Sequence, residues 1–406
     1  MNCGLLGEKL GHSYSPTIHA RLGDYAYRLY EKAPDELRDF LLHGDWDGLN
    51  VTIPYKKAVL PFCTALSDAA RRIGSVNTLL RREGGICGEN TDAAGFDWLL
   101  RDKGFDPSGK SALVLGSGGA SAAVCDVLRE RGAKRVTVIS RSGEDNYVNL
   151  YRHTDAQLIV NATPVGMYPR NGAAALSLAS FPRCEAVVDL IYNPARTALL
   201  LQAEALGIPH AGGLGMLVAQ ALRSSELFQG RPLPQSEIAR ITASLSREQE
   251  NIVLIGMPGC GKSTLAALLG ERLGREVCES DAWVERRAGC TIPELFARGG
   301  EEAFRTLETQ ALAELGKRSG IILSTGGGCV TREENYPLLH QNGRIVWITR
   351  ALDRLPTAGR PLSENADLRE LYARREAAYA RFADCSVAND ASLSACADRL
   401  AALFGA

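Results

Sequence analysis

Short apolar runs that break abruptly into glycine and polar residues recur along this chain. Cys3–Gly7, Ser111–Leu115, Arg135–Ile139, Leu158–Val160 and Asn251–Ile255 have the length and composition of buried strands. Between them lie helical patterns, such as the stretch ending at Arg131 and the apolar periodicity of Leu265–Leu273. Strands alternating with helices predict an α/β fold with parallel sheets. Polar residues at the ends of such strands are where a binding site is expected.

One break has a sharper pattern. Gly256-Met-Pro-Gly-Cys-Gly-Lys-Ser-Thr264 fits G-x-x-x-x-G-K-[ST], with a strand before it and a helix after it. Gly259, Cys260, Gly261 and Thr264 would turn backbone N–H groups onto phosphate oxygens at a helix N-terminus. Lys262 would reach the β- and γ-phosphates, and the Ser263 hydroxyl would bind Mg²⁺. Such a loop usually follows the first strand of its domain, so the preceding 250 or so residues should form something else.

A length of 406 residues also predicts two or three domains. A formal net charge of −1 argues against a general nucleic-acid or membrane-surface binder. No apolar run has the length of a membrane span, and Met1–Leu10 is not a signal peptide, so a cytoplasmic protein is expected. The eleven cysteines are scattered without a C-x-x-C, which reads as reduced structural thiols. Cys260 within the phosphate loop reads as a tolerated small residue.

In the first 100 residues, four blocks run from apolar into amide, hydroxyl and charged residues. They are Gly11–His19, Gly48–Lys57, Ile73–Thr78 and Gly88–Phe96. Ser13 and Ser15 could offer hydroxyls to a polyhydroxylated ligand, and a Lys and an Asp from separate strand ends make a proton-transfer pair. In order and spacing these blocks resemble the substrate domain of shikimate dehydrogenase, a likeness extending over residues 1–245. It implies that Ser13, Ser15, Thr52, Asn77 and Asp92 bind shikimate or 3-dehydroshikimate. Lys56 and Asp92 would be the catalytic pair, with Lys56 the proton donor to the C3 carbonyl oxygen. Lys57 reads as an exposed neighbour, and His12 and His19 as packing or hydrogen-bonding residues.

After Ser111–Leu115, the turn Gly116, Gly118, Gly119, Ala120 is a variant of the dinucleotide fingerprint. The second strand ends in Ser140, Arg141 and Ser142, where NAD-specific sheets commonly carry an acidic residue. A guanidinium there suits a 2′-phosphate, so NADPH is expected over NADH. The same resemblance places Asn161, Thr163 and Met167 near the nicotinamide half, and Tyr192 near nicotinamide and substrate. Gly215 and Met216 would approach the nicotinamide, with Gln220 facing the substrate.

The blocks behind the phosphate loop resemble shikimate kinase: Glu276–Glu285, Ile292–Glu301, Phe304–Glu308, Leu323–Val330, Gly359–Leu362 and Arg374–Tyr379. That likeness implies that Asp281 binds the acceptor hydroxyl and acts as its base. It also implies that Arg305 and Arg375 bind the shikimate carboxylate, that Gly327 and Gly328 back the ring, and that Arg360 is a lid arginine on the phosphates. Arg305 could equally pair with Glu308 as a helix neighbour. The family's usual Asp two places before the substrate Asp is Glu279 here, a longer carboxylate for a metal-bound water. The lid between Thr349 and Arg360 is short, which leaves the adenine contacts unassigned.

The expected organisation is a substrate lobe over 1–104 completed by 213–245, a Rossmann lobe over 105–212, a linker at 246–250 and a P-loop domain over 251–406. The expected function is a bifunctional enzyme of the shikimate pathway. NADPH would reduce 3-dehydroshikimate to shikimate, and ATP with Mg²⁺ would phosphorylate it at the 3-position. The alternatives are a ligand-sensing regulator that keeps both pockets, and an oxidative quinate or shikimate dehydrogenase carrying a kinase domain. No nucleic-acid or membrane partner is expected, and the oligomeric state is not legible.

Overall fold

A computed structural model describes residues 1–11, 13–355 and 368–405, in two compact units, Met1–Ser244 and Leu245–Ala406. His12 and Arg360, both singled out in the sequence, lie outside the described residues.

The first unit opens with a mixed sheet of β1 (Asn2–Gly7), β2 (Ala26–Glu31), β3 (Gly48–Val51), β4 (Ala65–Leu66), β5 (Thr78–Arg82) and β6 (Gly85–Glu89). Its order is β2-β1-β3-β5-β6-β4, with β1 parallel to β2 and β3, and β5 antiparallel to β3 and β6. Central β3 is buried along its whole length, whereas edge strand β2 is largely exposed. Leu6, Leu41, Trp46, Leu49, Val59 and Val76 form the core beneath.

The helices Asp92–Lys103 and Leu214–Gln229 pack against each other, returning the chain to this lobe. Gly95 permits the close approach, because a Cβ there would lie 2.7 Å from the Met216 carbonyl oxygen. Between these helices runs a second sheet of β7 (Ser111–Leu115), β8 (Arg135–Ile139), β9 (Leu158–Asn161), β10 (Ala186–Asp189) and β11 (His210–Ala211). All neighbours are parallel, in the order β11-β10-β9-β7-β8. Alternate side chains of β7 feed opposite faces. Ala112 and Val114 join Phe96, Leu99 and Leu100, while Leu113 and Leu115 join Ile159 and Val187. Strand order reverses between β7 and β9, and a ligand crevice opens at such a switch point.

The expected linker at 246–250 is helical as far as Gln249, because the helix Ser236–Gln249 runs through it. Ile238, Ile241 and Leu245 recur at helical spacing and are buried, so the apolar stripe carries the helix on through the polar stretch.

The second unit is built on a parallel sheet of β12 (Asn251–Ile255), β13 (Val277–Glu279), β14 (Ile322–Ser324), β15 (Gly343–Thr349) and β16 (Cys385–Ala388). Its order, β13-β14-β12-β15-β16, puts the strand that feeds the glycine-rich loop in the centre. The loops after β14 and β15 flank that loop at the same sheet end. Among the described residues, no helix is long and apolar enough to cross a membrane.

Candidate active sites

In the first unit the polar strand ends meet. Lys56 Nζ donates to Asp92 Oδ2 at 2.5 Å, and Asn77 Nδ2 donates to Asp92 Oδ1 at 2.9 Å. Both carboxylate oxygens are therefore engaged, and the pair is shielded, with side chains 18% and 9% exposed. Asp92 opens the helix Asp92–Lys103, where the helix dipole favours a negative charge. Thr91 N donates to Asn77 Oδ1 at 2.7 Å, fixing the amide that in turn holds Asp92. Lys57 is exposed.

Ser13 and Ser15 sit at the start of the helix Ser15–His19, with Ser15 N donating to Ser13 Oγ at 3.2 Å. Thr52 follows β3 and is half-buried. Gln220, on the helix Leu214–Gln229, accepts from Thr91 Oγ1 at 3.4 Å and donates to Leu217 O at 2.8 Å. Behind this surface lies a buried hydroxyl network that no motif announced. Asn50 Nδ2 donates to Ser224 Oγ at 2.7 Å, and Ser224 Oγ lies 3.0 Å from both Thr78 Oγ1 and Thr91 Oγ1. His19 is buried, stacks on Tyr27 at 4.0 Å between ring centroids, and pairs through Nδ1 with the Tyr25 hydroxyl at 2.6 Å. Burial lowers its pKa to about 3, so it stays neutral.

The dinucleotide turn follows β7. Gly116 has φ +101, and a Cβ there would lie 2.9 Å from Thr163 Cγ2, so the loops after β7 and β9 touch across the switch point. A Cβ on Gly119 would lie 3.2 Å from Lys56 Cδ, so the nucleotide turn rests against the stem of that lysine. Ala120 continues the helix Gly119–Glu130. Asn161 is buried and its amide is consumed locally: it donates to Asp189 Oδ1 at 3.0 Å and accepts from Thr163 Oγ1 at 2.7 Å. It shapes the loop that carries Thr163, while Met167 is 44% exposed. Burial pushes the Asp189 carboxyl up to about 6, against the pull of Thr197, Ile191 N–H and Asn161.

Ser140 is half-buried and Arg141 and Ser142 are exposed. Asp145, four residues beyond Arg141, has its carboxylate held by His153 Nε2 at 2.7 Å. Gly215 and Met216 are buried at the start of their helix. Tyr192 packs against Tyr14, with ring centroids 5.3 Å apart. Sequence reading passed over Tyr14, because a lone aromatic between two serines has no periodicity.

In the second unit, residues from every loop at one sheet end surround a cavity of about 610 Å³. Lys262 is buried, and its Nζ donates to Gly256 O at 2.9 Å and Met257 O at 3.1 Å. Ser263 Oγ lies 3.4 Å from Ser324 Oγ, and Cys260 is a buried free thiol. Gly256, Gly259 and Gly261 all have positive φ, the backbone a phosphate nest needs. Gly259 and Thr264 line the same cavity.

Asp281 sits in the first turn of the helix Ser280–Ala288, behind Glu279 at the N-cap. Burial pushes its carboxyl up, with the Lys262 charge opposing. Arg305 is buried and held by two carboxylates: Nη1 donates to Glu308 Oε2 at 2.6 Å and Nη2 to Glu301 Oε1 at 2.9 Å. The expected helix-neighbour pairing with Glu308 is thus present. Glu308 itself is fully buried, and burial raises its pKa against the charge of Arg305. The turn Gly326–Gly328 presses on these groups. A Cβ on Gly326 would lie 2.9 Å from Asp281 Oδ1, and one on Gly328 would collide with the Arg305 guanidinium. Arg375 is buried and donates through Nη1 to Gly327 O at 3.2 Å, and the Tyr379 hydroxyl donates to the same oxygen. Phe296 and Phe304 line the cavity with ring centroids 5.0 Å apart. Their helix, Ile292–Leu315, is interrupted at Gly300 with φ 69, a break that hides the pairing from a periodicity reading.

A parallel sheet with a glycine turn set against a lysine–carboxylate pair defines a pyridine-nucleotide dehydrogenase. A glycine-rich phosphate loop facing an acidic residue and buried arginines defines a P-loop phosphotransferase. The comparisons agree. The profile of the shikimate dehydrogenase substrate binding domain matches residues 5–79, and that of shikimate kinase matches residues 258–403. A shikimate dehydrogenase (NADP(+)) from Oleidesulfovibrio alaskensis is 38% identical over 263 residues, spanning 59% of this chain and 94% of that protein. The crystal structure of shikimate 5-dehydrogenase from Thermus thermophilus, in complex with NADP(H) and shikimate, is 34% identical with a TM-score of 0.55. That match covers 60% of this chain and 99% of the other. A chorismate mutase/shikimate 5-dehydrogenase fusion protein from Clostridium acetobutylicum is 35% identical with a TM-score of 0.57, covering 60% of this chain and 96% of that one. The chain belongs to the shikimate dehydrogenase family and continues into a shikimate kinase domain, which makes it a bifunctional enzyme of the shikimate pathway.

Proposed function

We propose that the first unit reduces 3-dehydroshikimate with NADPH and that the second phosphorylates the resulting shikimate at its 3-hydroxyl with ATP. What carries this reading is a shared arrangement: in each unit a proton-transfer group stands beside a glycine phosphate turn. In the first it is Lys56 beside Gly119, and in the second Asp281 on the cavity of the 256–264 loop.

In the dehydrogenase, bound NADPH supplies the hydride. Ser13, Ser15, Thr52, Asn77, Tyr192 and Gln220 orient the ring. Lys56 delivers its proton to the C3 oxygen, and Asp92, held by Asn77, keeps the ammonium aimed there. The residues present fit the dinucleotide, because side chains at Gly116 and Gly119 would crowd Thr163 and Lys56, so glycines let the turn lie this close to the loop after β9 and to the lysine. Ser140, Arg141 and Ser142 are the proposed 2′-phosphate site. Arg141→Ala should cut the preference for NADPH over NADH by roughly 10- to 100-fold, the worth of a charged hydrogen bond. Values of kcat/KM with each cofactor measure this, and an unchanged ratio sinks the assignment.

In the kinase, Asp281 takes the proton of the acceptor hydroxyl, and Arg305 and Arg375 hold the shikimate carboxylate. Lys262 and the loop N–H groups neutralise and position the phosphates. The Ser263 hydroxyl and the Glu279 carboxylate are hard oxygen donors that fit Mg²⁺, which would offset phosphate charge when bound. Incubating the whole chain with 3-dehydroshikimate, NADPH, ATP and Mg²⁺ should give shikimate 3-phosphate by mass, with both nucleotides required. Accumulation of shikimate alone would show the kinase reading to be wrong.

A further inference from the structure

At the dehydrogenase site, one aromatic side chain crosses between the lobes and has no part in the steps above. Tyr14 stands between Ser13 and Ser15, at the N-cap of the helix Ser15–His19 in the substrate lobe. Tyr192 lies three residues past β10, in the nucleotide lobe. Their ring centroids are 5.3 Å apart and the planes are tilted by 50°, an arrangement that aromatic pairs favour over a face-to-face sandwich.

The backbone on each side is fixed without help from the rings. Ile191 N donates to Asp189 Oδ1 at 3.0 Å and Gly213 N to Ile191 O at 2.9 Å, which pins the chain just before Tyr192. Tyr168 N donates to Asn193 O at 3.3 Å, laying the loop after β9 along the other side. In the substrate lobe, Ser15 N donates to Ser13 Oγ at 3.2 Å and Ile18 N to Tyr14 O at 3.0 Å. The Tyr192 hydroxyl, by contrast, makes no hydrogen bond among the described residues, so its own loop does not aim it. Burial raises the phenols of Tyr192 and Tyr168, and the Tyr14 phenol adds to each shift, so three tyrosine hydroxyls gather where the lobes meet. The Tyr192 ring rests on that of Tyr14, and Tyr14 brings Ser13 and Ser15 with it as chain neighbours.

We infer that Tyr14 is a positioning residue whose ring aims the Tyr192 hydroxyl at the same ligand that Ser13 and Ser15 hold. It acts through Tyr192 and not on the ligand. This rests on the dehydrogenase reading above and gives the residue between the two serines a role in it.

The test is the steady-state kinetics of 3-dehydroshikimate reduction by the full-length protein, in Tyr14→Ala, Tyr14→Phe, Tyr192→Phe and the double variant Tyr14→Ala with Tyr192→Phe. Tyr14→Ala should lower kcat/KM for 3-dehydroshikimate roughly 2- to 10-fold, the worth of an aromatic pair. The KM for NADPH should hold within about twofold, which also shows that the unit is folded. Tyr14→Phe keeps the ring and should match the unaltered chain. Where Tyr192→Phe is already present, Tyr14→Ala should cost almost nothing more, because the hydroxyl it aims is gone. Additive losses, a phenylalanine variant as impaired as the alanine one, or an unchanged kcat/KM in Tyr14→Ala would each overturn the inference. Should the alanine variant fail to fold, Tyr14→Leu keeps the buried bulk and is read in the same way. Tyr192→Phe with unaltered kcat/KM would take Tyr192 off the substrate and the inference with it. An unaltered chain that reduces no 3-dehydroshikimate would remove the dehydrogenase reading itself, a result distinct from these.

Discussion

With asparagine in place of Asp281, phosphorylation of shikimate should fall by roughly 10²- to 10⁴-fold, the contribution of a positioned general base. Reduction of 3-dehydroshikimate should continue at the rate of the unaltered chain, because Asp281 belongs to the second unit alone. Asparagine keeps the size of the side chain and can still accept from Ser280 Oγ, which lies 3.3 Å from Asp281 Oδ1. What it cannot do is take the hydroxyl proton. A role in substrate binding alone would instead raise KM with kcat retained. The raised pKa of Asp281 adds a second signature. The group must be deprotonated to act, so kcat/KM should decline on the acid side at a pH above the ordinary aspartate value of about 4. Coupled assays of ADP release across pH measure both effects. A variant retaining kinase turnover within about tenfold would remove Asp281 from the base role.

Lys56→Met should produce the mirror result. The dehydrogenase kcat is expected to drop roughly 10²- to 10⁴-fold while the kinase is unaffected. Methionine suits the site because the lysine stem packs against the nucleotide turn, with Cδ 3.2 Å from where a Gly119 Cβ would lie. It preserves that packing and deletes only the ammonium. Asp92 keeps its hydrogen bond from Asn77 Nδ2, so the carboxylate is not stranded. NADP⁺ affinity, measured by fluorescence titration, should therefore hold within about threefold, since no phosphate or ribose contact is removed. If turnover persists, another group protonates the C3 oxygen; if nucleotide affinity collapses, Lys56 is structural.

What could be read from residue order depended on how locally each part is specified. The phosphate loop and the 116–120 turn are contiguous, and their glycines answer to backbone conformations that few other residues reach. Lys56 and Asp92 lie 36 residues apart, but each sits in a block with its own composition, so the family likeness brought them together. Glu308 could be suspected only as a helix neighbour of Arg305, and its contact with the 326–328 turn depends on β14 lying next to β12. The Tyr14–Tyr192 packing joins residues of two lobes and has no local pattern. Asn161 was legible as a loop residue near the cofactor crevice, but not as one whose amide is spent on Thr163 and Asp189.

The buried hydroxyls of Thr78, Thr91 and Ser224 have a consequence for the rigidity of the first site. Thr91 lies 3.0 Å from Ser224 Oγ and 3.0 Å from Asn77 Nδ2, the amide beside Asp92. Hydroxyl hydrogens rotate without moving heavy atoms, so the direction of donation through this cluster can reverse within a rigid frame. The Asn77 amide, which donates to Thr91 and to Asp92, is therefore held in one orientation whichever way the hydroxyls behind it point, and the backbone beneath it has no need to be soft.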